Sequence, residues 1–183
     1  MKTLFSLGNT QFEENKNIFL FILILTMTGC LHSQETLTWV EEISDIRNRY
    51  PDVKQIQTAE LQSWLTNTDK EPVILIDARH RKEFSVSHIS GAKHIPHNSK
   101  NLLNHLTDIK PDIPIVVYCS VGYRSSIMAE KLQNMGFTKV YNLEGSIIKW
   151  ANEGRPLVQG QATVHKVHPY NASWGSLPEK KYR

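Results

Sequence analysis

Cysteine is nearly absent: the 183-residue chain has two, Cys30 and Cys119. So few thiols exclude a small fold stapled by disulfides. Charge of one sign is also scarce, with 21 Lys and Arg against 18 Asp and Glu, a formal +3. No basic stripe is interleaved with aromatic residues, so nucleic acid is not an expected partner. A mild positive field still favours small anions. No apolar run reaches the roughly 20 residues that a membrane-spanning helix needs. His80, His94, His97 and His105 show no metal-ligand spacing with the cysteine nearest them, and His165 with His168 makes only two ligands. No metal site is therefore expected. Internal repeats and low-complexity segments are missing as well. What is present is an ordinary globular balance, 40% hydrophobic and 21% charged, in a length that suits one domain with extensions.

The longest uncharged apolar run is Ile18 to Met27. It is too short to span a bilayer and suits the core of a secretory signal. It leads into Met27-Thr28-Gly29-Cys30, which resembles a bacterial lipobox. That resemblance implies a lipid-modified Cys30 at the mature N-terminus, with residues 1–29 removed and the protein anchored in the cell envelope facing the periplasm. The leader departs from the pattern in carrying Glu13 and Glu14 beside Lys2 and Lys16. A plain cleaved signal or an uncleaved anchor are the alternatives. If Cys30 carries lipid, Cys119 has no disulfide partner, which points to a thiol kept for its reactivity.

Residues 31–36 read as a tether. Thr38 with Glu41 suggests a capping box, and Trp39, Ile43, Ile46 and Tyr50 share a helical face that Pro51 ends. A weak strand follows over Val53 to Ile56, then a helix from Thr58 to Leu65. Val73 to Ile76 and Ile115 to Tyr118 are continuous apolar runs of strand length, as in strands buried on both faces. Ala92 to Pro96 reads as a short strand and Asn98 to Leu106 as a helix. Ser125 to Met135 is expected to be a helix stopped by Gly136. Val140-Tyr141 is a short strand and Ser146 to Asn152 a last helix. Strands alternating with helices predict an α/β fold with a mainly parallel central sheet flanked by helices. In such sheets ligands bind beyond the carboxyl ends of the strands. The expected organisation is a tether and N-terminal helix over 30–57, a domain over 58–157 and an extension over 158–183.

The chemistry is expected where the second buried strand ends, in Cys119-Ser120-Val121-Gly122-Tyr123-Arg124-Ser125. A cysteine between a strand and a helix N-terminus meets a positive dipole end and free backbone N–H groups, which favour thiolate. Such settings lower a thiol from ~8.5 to roughly 3.5–7.5. Gly122 permits backbone angles costly to other residues, so successive amides can form an anion-binding nest. Arg124 adds a permanent cation to face an oxyanion. Ser125 is placed to cap the helix.

These residues, read together, resemble a rhodanese domain from about Thr58 to Leu157. The resemblance is carried by Ile76-Asp77-Ala78-Arg79, Glu83-Phe84, His88-Ile89-Ser90-Gly91-Ala92 and Ile95-Pro96, then by the Cys119 loop. It continues in Gly136-Phe137, in Val140 to Ser146 and in Trp150. Ser90 and Ser146 depart from the residues the family often has there. The resemblance implies a persulfide on Cys119, cradled by the amides of Ser120 to Ser125. Sulfur would pass from thiosulfate or a related donor to a thiol, or to cyanide in an assay, without a cofactor. Asp77 and Arg79 are expected to form a structural ion pair, and His88 to be a hydrogen-bonded structural residue. Two other classes compete. One is a phosphatase or arsenate reductase, whose cysteine loop resembles C-x5-R, whereas here four residues separate Cys119 from Arg124. The other is a non-catalytic rhodanese-like binding module.

Overall fold

The computed structural model describes residues 39–67, 69, 71–171 and 174–183. The leader and Cys30 therefore lie outside the described residues. Chain order is α1 (Trp39–Arg49), β1 (Lys54–Ile56), α2 (Thr58–Thr66), β2 (Ile74–Asp77), α3 (Arg81–Phe84) and β3 (Lys93–His94). It continues with β4 (Ile115–Tyr118), α4 (Tyr123–Asn134), β5 (Val140–Leu143), α5 (Ser146–Asn152), β6 (Leu157–Gln159) and β7 (Ala162–Val164).

Five strands form one sheet in the order β1-β5-β4-β2-β3. Every pairing is parallel, with Ile74 against Ile115 and Asp77 against Tyr118 in the centre. β4 is buried at all four positions, which is why its sequence is an unbroken apolar run rather than an alternation. Its side chains still alternate between faces. Val116 and Tyr118 join the core on one side with Leu61, Leu143, Ile147 and Trp150. Ile115, Val117 and Cys119 join the core on the other with Met128, Leu132 and Val140. The fold is an α/β domain with a mainly parallel sheet covered by helices on both faces, as the alternating pattern predicts.

Two expectations are corrected. Asn98 to Leu106 forms only a 3-10 turn over Leu102–His105. Leu102 and Leu106 are buried while Leu103 is exposed, so the segment lacks a broad apolar stripe to hold a longer helix. α4 begins at Tyr123 rather than Ser125. Its N-cap is Gly122, so Ser125 is already inside the helix and does not cap it. The last residues, read as an extension without periodicity, carry structure of their own. β6 and β7 form an antiparallel hairpin, and Leu157, Val167, Leu177 and Tyr182 are buried in the core beside Tyr118. Their anchoring side chains are too widely spaced to give a periodic pattern.

Candidate active site

Cys119 is the first residue after β4, and α5 fixes its backbone. Its N–H donates to Ser146 Oγ at 3.0 Å. The amides of Ile147 and Ile148 donate to the carbonyls of Cys119 and Ser120 at 3.3 and 3.2 Å. This is how the helix following β5 holds the loop following β4. Gly122 then turns the chain at φ +131, a region strained for any side chain. A Cβ there would also lie 3.1 Å from Ile46 Cδ1 and 3.3 Å from Asn142 Nδ2. The turn aims the Gly122 N–H at the Cys119 sulfur, 3.2 Å away.

The sulfur is completely buried, and burial pushes the thiol pKa up. The Arg124 charge, the Ser125 hydroxyl and amide, and the Gly122 amide oppose it and prevail, so the thiol titrates below its ordinary value. Ser125, buried in the first turn of α4, bonds the Gly122 carbonyl at 3.0 Å and Asn142 Oδ1 at 2.6 Å. Asn142 Nδ2 in turn donates to Gln55 on β1. Val121 is buried in the core, a packing residue beneath the loop. Tyr123 is half-buried, edge-on to Tyr50 at 5.7 Å.

Arg124 does not stand free above the loop. Its Nη1 and Nη2 donate to the two carboxylate oxygens of Glu83 at 2.8 and 2.7 Å. Nη2 also donates to Ser120 Oγ at 2.9 Å, which itself donates to Glu83 Oε1. Glu83 is fully buried. Burial raises its pKa, but the Arg124 bonds and charge pull it down to about 2. Burial alone would lower the Arg124 pKa, and the Glu83 contacts raise it above its ordinary value. The guanidinium is thus an orienting group bound edge-on, with its open face against the ring of Tyr170.

The other sequence-derived residues bond to partners other than the sulfur. Asp77 and Arg79 form a wholly buried ion pair at 2.7 Å. Arg79 also donates to the Ser87 carbonyl at 2.6 Å. His88 stacks on Phe84 at 3.9 Å, and its Nδ1 lies 3.2 Å from the Phe84 carbonyl oxygen. A groove of about 940 Å³ lined by Trp39, Ile43, Arg47 and Glu144 includes no residue of the Cys119 loop. Among the described residues, no group of three or more His, Cys, Asp and Glu side chains is arranged for a metal. Sequence reasoning missed the roles of Glu83, Ser146 and Asn142. All three lay inside matched motifs, but the motifs do not say which residues meet. Tyr170 carried no signal.

A model of the rhodanese-like domain matches residues 58–153, just over half the chain. A sulfurtransferase of Allochromatium vinosum is 33% identical over 106 residues, spanning 58% of this chain and 95% of its own length. The probable adenylyltransferase/sulfurtransferase MoeZ of Mycobacterium tuberculosis is 34% identical over 101 residues, 55% of this chain. The chain spans only 25% of the length of that relative. The crystal structure of a thiosulfate sulfurtransferase from Pseudomonas aeruginosa superposes with a TM-score of 0.56 at 24% identity. It covers 66% of this chain and 22% of that one, a likeness of fold. With the parallel sheet, the cysteine loop at the end of its central strand and these matches together, the chain belongs to the rhodanese-like domain family.

Proposed function

We propose that the protein is a sulfurtransferase that carries sulfane sulfur as a persulfide on Cys119. Its relatives named as sulfurtransferases support the reaction class. The observation that carries the reading is the buried sulfur with the Gly122 amide on it and a thiol pKa held below its ordinary value. A thiolate stored in this way attacks the outer sulfur of a donor such as thiosulfate. The new S–S bond forms as the donor's S–S bond breaks, and the electron pair leaves with sulfite. An acceptor thiolate, or cyanide in an assay, then attacks the outer sulfur and returns Cys119 as thiolate. This is covalent catalysis with ping-pong kinetics. The lowered thiol pKa favours the thiolate, so the reading assigns no general base. Ser120 to Ser125 are the cradle, with Arg124 orienting the loop and supplying positive field to a doubly charged donor.

Intact mass after incubation with thiosulfate tests the reading. One added sulfur atom is expected in the native chain and none in Cys119→Ser. An unchanged mass in the native chain, with thiosulfate:cyanide activity also missing, overturns it. The proposal extends to location: Cys30 carries lipid and anchors the domain in the cell envelope. Globomycin, which blocks lipoprotein signal processing, should then make a precursor accumulate. A chain whose mobility ignores the drug and Cys30→Ala alike is not a lipoprotein.

A further inference from the structure

The C-terminal segment reaches the site through the side chain of Tyr170. It lies beyond the matched residues 58–153, closes on itself and is tied to α5. The Val167 N–H donates to the Tyr182 carbonyl at 2.8 Å, and Asn152 Nδ2 donates to the Leu177 carbonyl at 2.8 Å. Val167, Leu177 and Tyr182 are buried. Between these anchors stands Tyr170, whose ring centroid is 4.4 Å from the Arg124 guanidinium carbon. That is the shortest cation–ring approach among the described residues.

Two further observations mark the contact as built. Tyr170 has φ +65, a left-handed backbone that a bulky residue holds only at a cost, and such strain concentrates where it serves a site. The ring is also braced. It leans on Trp174 at 4.9 Å, and the Tyr170 N–H donates to His168 Nδ1 at 3.0 Å. Glu83 already occupies both terminal nitrogens of Arg124, so Tyr170 covers the face that the ion pair leaves open. Cys119, which feels the Arg124 charge, has no solvent exposure.

We propose that Tyr170 is a specificity-determining residue of the Cys119 site. Its ring roofs Arg124 and admits small reactants, of the size of thiosulfate or a low-molecular-weight thiol, while excluding bulky thiosulfonates and protein thiols. The donor selection rests on the sulfurtransferase reading above; the steric roof does not. The two fail separately in one experiment on the full chain. Alkylation of Cys119 by iodoacetamide and by the bulkier N-ethylmaleimide is followed on the Cys119 peptide by mass spectrometry. Thiosulfate and an aryl thiosulfonate are compared as donors in parallel.

Tyr170→Gly removes the ring and suits the φ, so folding is retained and thermal melting serves as the control. The maleimide rate should rise roughly tenfold, a scale that losing one partly desolvated cation–ring contact supports. The iodoacetamide rate should rise much less, and the aryl donor should gain on thiosulfate. Tyr170→Phe keeps the ring and should match the native chain. Unchanged rates for both reagents in a folded Tyr170→Gly protein overturn the roof. So does a Tyr170→Phe protein that behaves like Tyr170→Gly. If labelling responds as expected while no donor loads sulfur on either protein, the roof stands and the sulfurtransferase reading falls.

Discussion

Two buried arginine–carboxylate pairs sit in this domain, and each guanidinium also faces a tyrosine ring. Asp77 and Arg79 are two residues apart on one strand end, and both are wholly buried. Tyr118 of the neighbouring strand supplies the ring at 5.8 Å. Glu83 and Arg124 join a short helix to the nucleophile loop, 41 positions apart in the chain, and the ring comes from the C-terminal tail. The first pair closes on its own strand and ties down the Ser87 carbonyl. The second closes across the site and lends its field to a thiol. A buried ion pair is thus no sign of function by itself. What separates the two is the neighbour each addresses: a backbone carbonyl in one case, a reactive sulfur in the other.

The largest effect expected from this contrast is on stability at the first pair. Arg79→Ala leaves the Asp77 carboxylate buried without its partner, at a cost of about 3–5 kcal/mol. Urea denaturation measures that cost. Alkylation of Cys119 as a function of pH, followed in the surviving folded protein, should keep the native midpoint. A shifted midpoint would break the division between a structural and a site pair.

The second pair should answer to acid. The folded pKa of Glu83, about 2, lies below the ordinary 4.5, so its contribution to stability is complete above the unfolded value. It is lost as pH falls from about 4.5 toward 2, on the order of 3 kcal/mol in all. Glu83→Gln should flatten that part of the stability–pH curve. A variant that retains the native slope there assigns the acid sensitivity to other carboxylates.

The smallest effect sharpens the contrast most. Arg124→Met removes the positive charge near the sulfur and should raise the alkylation midpoint of Cys119. Arg79→Met should leave it in place. Equal midpoints in all three proteins would mean that the amides and Ser125 alone hold the thiol down.

The centre of the sheet was legible because burial on both faces leaves an unbroken apolar run: β4 spans Ile115–Tyr118 as read, and α5 spans Ser146–Asn152 as read. The cysteine loop was legible because the strand, Gly122 and the helix follow one another in the chain. What stayed hidden depends on distance along it. Nothing local says that Glu83 meets Arg124, or that Ser146 holds the Cys119 amide. Ser125 was read as a cap from its residue type, but a glycine at φ +131 took that position and moved the helix start back. Tyr170 lies in a segment without periodicity, and only the folded chain brings its ring to the site.

The sheet has one more consequence, and it concerns time. With every pairing parallel, no two neighbouring strands can be joined by a tight turn, and Lys54 must find Tyr141 across most of the domain. Such long-range topologies condense late, because loop closure must precede the contacts that reward it. Asn142 and Ser146, which brace the nucleophile loop, come from β5 and the first residue of α5. Until those strands dock, Cys119 is an ordinary thiol with a pKa near ~8.5 and little thiolate at neutral pH. Its acidity is thus a property of the finished sheet, so the chain is chemically quiet while still extended and able to mispair.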